Sequence, residues 1–182
     1  MLLNPREILL KDGRTGVLRN PDPEADAVAL IRHLKRIVTE TEFLLRYPEE
    51  CDWTEAQERN ILSESNADEM RLMLVCEVEG EIAGMCGLSM NRQIKFRHRA
   101  SLDIGLQKRF WNLGIGTAML EALTKAAKAR GLMQLELEYI EGNARGRALY
   151  EKMDFTEVAR HPDAVRFKDG SMRSLVFMMK KL

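Results

Sequence analysis

Residues Trp111–Leu120 read WNLGIGTAML, two glycines two positions apart followed by a run suited to open a helix. Upstream, HRASLDIGL (His98–Leu106) alternates Leu102, Ile104 and Leu106 against Ser101, Asp103 and Gly105, the period of a strand. Downstream, Ile115, Met119, Ala122, Leu123 and Ala126 form an apolar stripe, and Lys125, Lys128 and Arg130 precede Gly131, the ending expected of a helix. The order is strand, glycine turn, helix. Gly116 and Thr117 fall in the first turn, where unpaired N–H groups and the positive end of the helix dipole attract an anion.

An isolated G-x-G is also ordinary turn punctuation, so the turn alone decides little. A P-loop requires Gly-Lys-Ser/Thr, whereas Gly116 is followed by Thr117-Ala118. A dinucleotide fingerprint wants a third glycine where Met119 stands, and a strand running directly into the glycines, whereas Gln107 to Leu113 intervene. Glu136 has the spacing of a ribose-binding acid but is expected to face solvent from its own strand.

Working outward, EILLKDGRTGVLR alternates around Asp12-Gly13 as a hairpin. EADAVALIRHLKRIVTE places Ala25, Ala29, Leu30 and Leu34 at helical spacing behind acidic residues. TEAQERNILSES opens a second helix at Thr54, ahead of a break at Asn66-Ala67-Asp68, and the intervening FLLRYPEECDW is a candidate substrate-side loop. RLMLVCEVEGEIAGMCGLSM is a hairpin, MQLELEYI a strand, and Ala144 to Lys152 a short helix. Two final strands turn at Asp169-Gly170. The pattern ββααββ then βαβαββ predicts one mixed α/β (α+β) layer structure.

At 182 residues and 45% apolar content the chain suits a single globular domain, residues 1–182. Lys plus Arg and Asp plus Glu both number 28, which points away from nucleic acid or an anionic membrane as principal partner and toward a small molecule or a modest protein surface. Apolar runs fall far short of the roughly 20 residues of a membrane span, and the first residues carry charge where a signal peptide is apolar, so a cytoplasmic location is expected. Cys51, Cys76 and Cys86 lack C-x-x-C spacing and read as reduced, buried thiols; His33, His98 and His161 are scattered, and no metal is expected.

LDIGLQKRFWNLGIGTAML followed by LELEYIEGNARGRALYEKMDF resembles the GCN5-related N-acetyltransferase (GNAT) family over about Ser101–Phe155. The first block is similar to the family's pyrophosphate loop Q/R-x-x-G-x-G/A, the second to its N-x-R-A-x-x-L-Y-E-K-x-G-F segment. The resemblance implies a single-domain fold with a mixed, mostly antiparallel sheet of about seven strands, flanking helices and a splayed cleft for acetyl-CoA. By that resemblance the amides of Asn112, Leu113, Gly114, Ile115, Gly116 and Thr117 hold the pyrophosphate. The backbone of Ile104, Gly105 and Leu106 pairs with the pantetheine arm like an added strand, Asn143 hydrogen-bonds the arm, and Tyr150 lies near the sulfur. The chain departs from the family's pattern at Trp111 (usually Gln or Arg), at Asp154 (usually Gly), and at Ser101, where many members carry a glutamate. Phosphate binding then rests on amides, Trp111 stacking, and Lys108 or Arg109; Asp154 is expected to take a left-handed conformation.

Acetyl transfer from a thioester needs a neutral amine. An amine of pKa ~10.4 is neutral in about one molecule in 2,500 at pH 7, a handicap of roughly 4.6 kcal/mol. Candidate bases are Asp103, Glu138 and Glu141, acting through water; each reads equally as a solvated residue. Tyr150 suits a general acid for the thiol, or a packed aromatic, and a strand N–H near Ile104 or Leu106 would meet the oxyanion. Three functions are open: transfer to a small-molecule amine, transfer to a protein N-terminus or lysine, and acyl-CoA sensing without catalysis. A closed acceptor pocket lined by Glu40, Glu42 and Glu49 would mark the first. A homodimer through SLVFMM (Ser174–Met179) is a further expectation.

Overall fold

The computed structural model describes all residues, 1–182. Its strands are β1 (Arg6–Leu9), β2 (Thr15–Arg19), β3 (Arg71–Val78), β4 (Glu81–Met90), β5 (Arg99–Leu106), β6 (Gln134–Ile140), β7 (Thr156–Arg166) and β8 (Met172–Lys181). Its helices are α1 (Pro23–Glu40), α2 (Glu55–Ala67), α3 (Ile115–Ala129) and α4 (Ala144–Lys152). All eight strands join one sheet in the order β1-β2-β3-β4-β5-β6-β8-β7, the eight of the pattern ββααββ then βαβαββ, where the family resemblance implied about seven. Every pairing is antiparallel except β5–β6.

The helix starts follow the sequence. Asp22 caps α1 by accepting from the Glu24 and Ala25 N–H groups (2.8 and 2.9 Å). Thr54 and Gln57 form a reciprocal capping box on α2. The buried face of α1 differs from expectation: Asp26, Ala27, Leu30, His33 and Ile37 turn inward and Ala25 stays exposed. The cause is Arg19 on β2, which clamps Asp26 at 2.5 and 2.9 Å and Glu77 of β3 at 2.6 Å, so the helix seats on its charge pair. α2 continues through Asn66 to Ala67, past the expected break.

α1 and α2 cover one face of the sheet, where Ala27, Leu30, Leu62, Val75 and Ile82 meet. α3 covers the other, burying Ile115, Met119, Leu120 and Leu123 against Leu72, Leu74, Leu88 and Leu135. Asp154 takes the left-handed conformation expected of it, at φ 63°. SLVFMM lies in β8, which is paired on both edges, to β6 and to β7, so it has no free edge to offer a second copy. The edge on that side is β7, irregular at Val158 and again between His161 and Val165, a form that discourages edge pairing.

β5 and β6 are hydrogen-bond neighbours only where Arg99–Ser101 meets Gln134–Glu136; beyond that they part. A cleft of about 1510 Å³ opens at this splay, large enough for a nucleotide-bearing donor and a second substrate.

Candidate active site

The loop after β5 closes one end of the cleft, through Trp111, Asn112 and Gly114. Asn112 (φ 65°) and Gly114 (φ 95°) both adopt left-handed conformations, and a side chain added at Gly114 would be strained there. Gly114 is the N-cap of α3 and offers no side chain to its N–H groups, and no acidic residue occupies the first turn. The N–H groups of Ile115, Gly116 and Thr117 therefore have no intrahelical partner and form a cradle for an anion. Gly116 has a second duty: a Cβ there would sit 3.0 Å from Leu149 Cδ2, so its absence lets α4 close on α3.

Trp111 is fixed by its indole N–H, which donates to the Leu106 carbonyl at 3.0 Å. Arg145, in the first turn of α4, lies over the Trp111 ring at 4.6 Å and donates to Asn112 Oδ1 at 2.6 Å. The charge absent at position 111 is thus supplied across the cleft mouth. Lys152 adds another cation, bonded to Thr117 Oγ1 at 3.2 Å. Arg109 is paired with Glu81, and Lys108 does not line the cleft, so neither expected cation serves the loop.

The Gln107 N–H donates to the Ala83 carbonyl (3.0 Å), and alternation along an antiparallel ladder then turns the backbone groups of Ile104 and Leu106 away from β4, toward the gap. Trp111 donates to the Leu106 carbonyl, which leaves the Leu106 N–H and the Ile104 groups open to an extended ligand along the gap. Asn143 caps α4 through Oδ1, which accepts from the Gly146 N–H at 2.9 Å, leaving Nδ2 to donate into the cleft.

The two faces of the splay carry different chemistry. Gly105 faces α1, since a Cβ there would lie 2.9 Å from Ile37, so Asp103 and Ser101 share that face. Ser101 is in register with Glu136, which places Glu136 and Glu138 on the same face of β6. Ile104 and Tyr139 point to the other face, where the Tyr139 and Tyr150 rings stand 6.0 Å apart.

Asp103 is exposed to the cleft while protein crowds its carboxyl from the other sides, and with no cation or hydrogen-bond donor beside it this desolvation raises its pKa above the ordinary aspartate value. Gly87, opposite it on β4, makes the room: a Cβ there would lie 2.6 Å from Asp103 Oδ2. Burial, and secondarily the Asp103 charge, push the Tyr150 hydroxyl up to about 12, so it is protonated near neutrality. Glu138 is exposed and lines the cleft without an ion-pair partner. Glu136 is held by Arg99 (2.8 Å), and Glu141 by Arg160 and Ser174 (2.8 Å), outside the cleft.

On the Asp103 side the cleft is roofed by Phe43, Leu44, Leu45 and Trp53 from the α1–α2 connection. That strap is pinned to the β7–β8 turn: the Lys168 N–H donates to Tyr47 Oη (3.1 Å), and the Lys168 ammonium pairs with Glu49. The expected acidic lining is found in part: Glu40 and Glu42, with Glu50, line an adjoining pocket of about 510 Å³ that shares Leu44, Leu45 and Arg46 with the cleft, whereas Glu49 serves the pin. The carboxylates of the cleft itself are Asp103, Glu136 and Glu138.

The profile of the acetyltransferase (GNAT) family matches residues 31–155, the stretch that holds both the splayed parallel pair and the uncapped helix, and the chain belongs to that family. Over 61 residues it is 46% identical to the mycothiol acetyltransferase of Beutenbergia cavernae, a match spanning 33% of this chain and only 19% of that protein. Two solved structures resemble nearly the whole fold. An acetyltransferase of the GNAT family from Streptococcus pneumoniae superposes with a TM-score of 0.85 at 25% identity, covering 92% of this chain and 99% of its own. The ribosomal-protein-alanine N-acetyltransferase of Brucella melitensis does so at 0.79 and 25%, covering 91% and 99%. No helix is long and apolar enough to cross a membrane.

Proposed function

We propose that residues 1–182 act as one N-acetyltransferase domain that moves an acetyl group from acetyl-CoA directly to the primary amine of a small molecule. The observation that carries this reading is the parting of β5 and β6 beyond Ser101 and Glu136, directly below the uncapped start of α3. The donor's pyrophosphate rests on the amides of Asn112 to Thr117, its arm pairs with Ile104 and the Leu106 N–H, and Asn143 Nδ2 holds the arm from the β6 side.

The acceptor approaches from the α1 face, where Asp103 removes its proton, directly or through a water. Its nitrogen attacks the thioester carbon, the oxyanion is met by a β5 backbone N–H, and the carbon–sulfur bond breaks as Tyr150 on the opposite face protonates the thiolate, while the surplus proton on the nitrogen leaves through water and restores the Tyr150 hydroxyl. With base and acid on opposite faces, no covalent enzyme intermediate is required. Glu138 attracts the cationic acceptor rather than deprotonating it.

The roof of Phe43, Leu44, Leu45 and Trp53, pinned through Lys168, supports a small acceptor over a protein chain. The test is thiol release from acetyl-CoA against a panel of small amines (polyamine, amino acid, aminosugar) and of peptides with free N-termini or lysines. Turnover with a small amine is expected; turnover with peptides alone would shift the reading to protein acetylation. Acetyl-CoA binding with no turnover would favour the sensor.

A further inference from the structure

The β1–β2 hairpin lies outside residues 31–155, the part of the chain that matches the family. Its turn nevertheless reaches the glycine loop: the Lys11 N–H donates to the Leu113 carbonyl at 3.1 Å, and Lys11 borders the cleft alongside Asn112 and Gly114. The other cation of the turn, Arg14, is committed to Asp12 (2.7 Å) and Glu79 (3.0 Å). Lys11 has neither an ion pair nor a side-chain hydrogen bond, and it is anchored through its backbone with its ammonium uncommitted.

We propose that Lys11 contacts the donor's pyrophosphate, making the N-terminal hairpin a working part of the donor site; the inference rests on the reading of acetyl-CoA as donor. A pyrophosphate diester carries about two negative charges, whereas a helix N-terminus offers about half a positive one. With Trp111 in the loop's leading position, the deficit falls to side chains from elsewhere. Arg145 approaches from α4, and Lys11 from the hairpin is the cation that lines the same loop from a different element. Its four-carbon stem and compact ammonium suit a point charge on phosphate oxygens.

The test is calorimetric binding to the full chain with three donors: acetyl-CoA, 3′-dephospho-acetyl-CoA and S-acetyl-pantetheine. Lys11→Met is expected to weaken the first two by about tenfold and leave the third, which lacks the pyrophosphate, unchanged; Lys11→Arg is expected to retain affinity. The Lys11→Met penalty should also shrink as salt rises. Unchanged acetyl-CoA affinity, an equal loss with S-acetyl-pantetheine, or a penalty confined to the 3′-phosphorylated donor would each overturn the assignment. Wild-type chain that binds no acetyl-CoA would instead sink the functional reading itself.

Discussion

Asp103 and Tyr150 border one gap from opposite faces of the sheet, Asp103 on the α1 face and Tyr150 on the α4 face beside Tyr139. The carboxylate adds to burial in holding the phenol protonated, with the hydroxyl pushed up to about 12. In the proposed reaction these two groups are the proton acceptor and the proton donor.

Tyr150→Phe is expected to lower kcat by about ten- to hundredfold while acetyl-CoA affinity stays within a factor of two or so, since the ring contact with Tyr139 survives. Steady-state kinetics with parallel calorimetry measure this. Equal losses in both would reassign Tyr150 to packing.

Asp103 also leaves a signature in stability. Its folded pKa is raised, so the folded chain holds this proton more tightly than the unfolded chain does, and stability contributed by the group falls as pH rises from the ordinary aspartate range through the folded value. Asp103→Asn is therefore expected to raise Tm at neutral pH and to have little such effect at pH ~3, where the carboxyl is protonated in both states. A variant less stable than wild type at pH 7 would argue against an unpaired, desolvated carboxylate.

Burial pushes the His33 imidazole down to about 4, with its Nδ1–H on the Ile82 carbonyl at 3.1 Å. Between pH ~6.5 and pH ~4 the unfolded chain gains a proton that the folded chain refuses, so wild-type stability is expected to fall across that window as pH drops. His33→Gln should flatten the fall even if it lowers Tm overall. Thermal melts at several pH values provide the check, and an unchanged slope would contradict it.

Arg145→Gln is expected to weaken acetyl-CoA by roughly fivefold through loss of the cation held over Trp111 and against Asn112. Titration of the variant with CoA decides this, and undiminished affinity would leave the loop's amides as sufficient.

The strand, glycine turn and helix around WNLGIGTAML were legible because each rests on a local period, and all four helices could be placed from caps and apolar spacing. What the sequence hid was pairwise. The α1 face turned because Asp26 is drawn inward by Arg19, seven residues earlier, which also holds Glu77 of β3, 58 residues on; a periodicity count weighs Asp26 only as a charge. Gly87 reads as a weak spot in a strand until Asp103 is seen opposite it. Trp111 looked like a lost charge until Arg145, inside the quoted NARGRALYEKMDF, was found stacked on it. Of the acidic residues of the α1–α2 segment, Glu40 and Glu42 line the pocket beside the cleft, but Glu49 is drawn away by Lys168, a partner 119 residues on that no local pattern announces.

Deprotonation of the acceptor amine by Asp103 is read out in the pH dependence of kcat for Asp103→Asn against wild type. The variant is expected to be slower by about a hundredfold at pH 7, with the gap closing as pH approaches ~10 and the amine loses its proton unaided. Parallel profiles, or equal rates at pH 7, would contradict it.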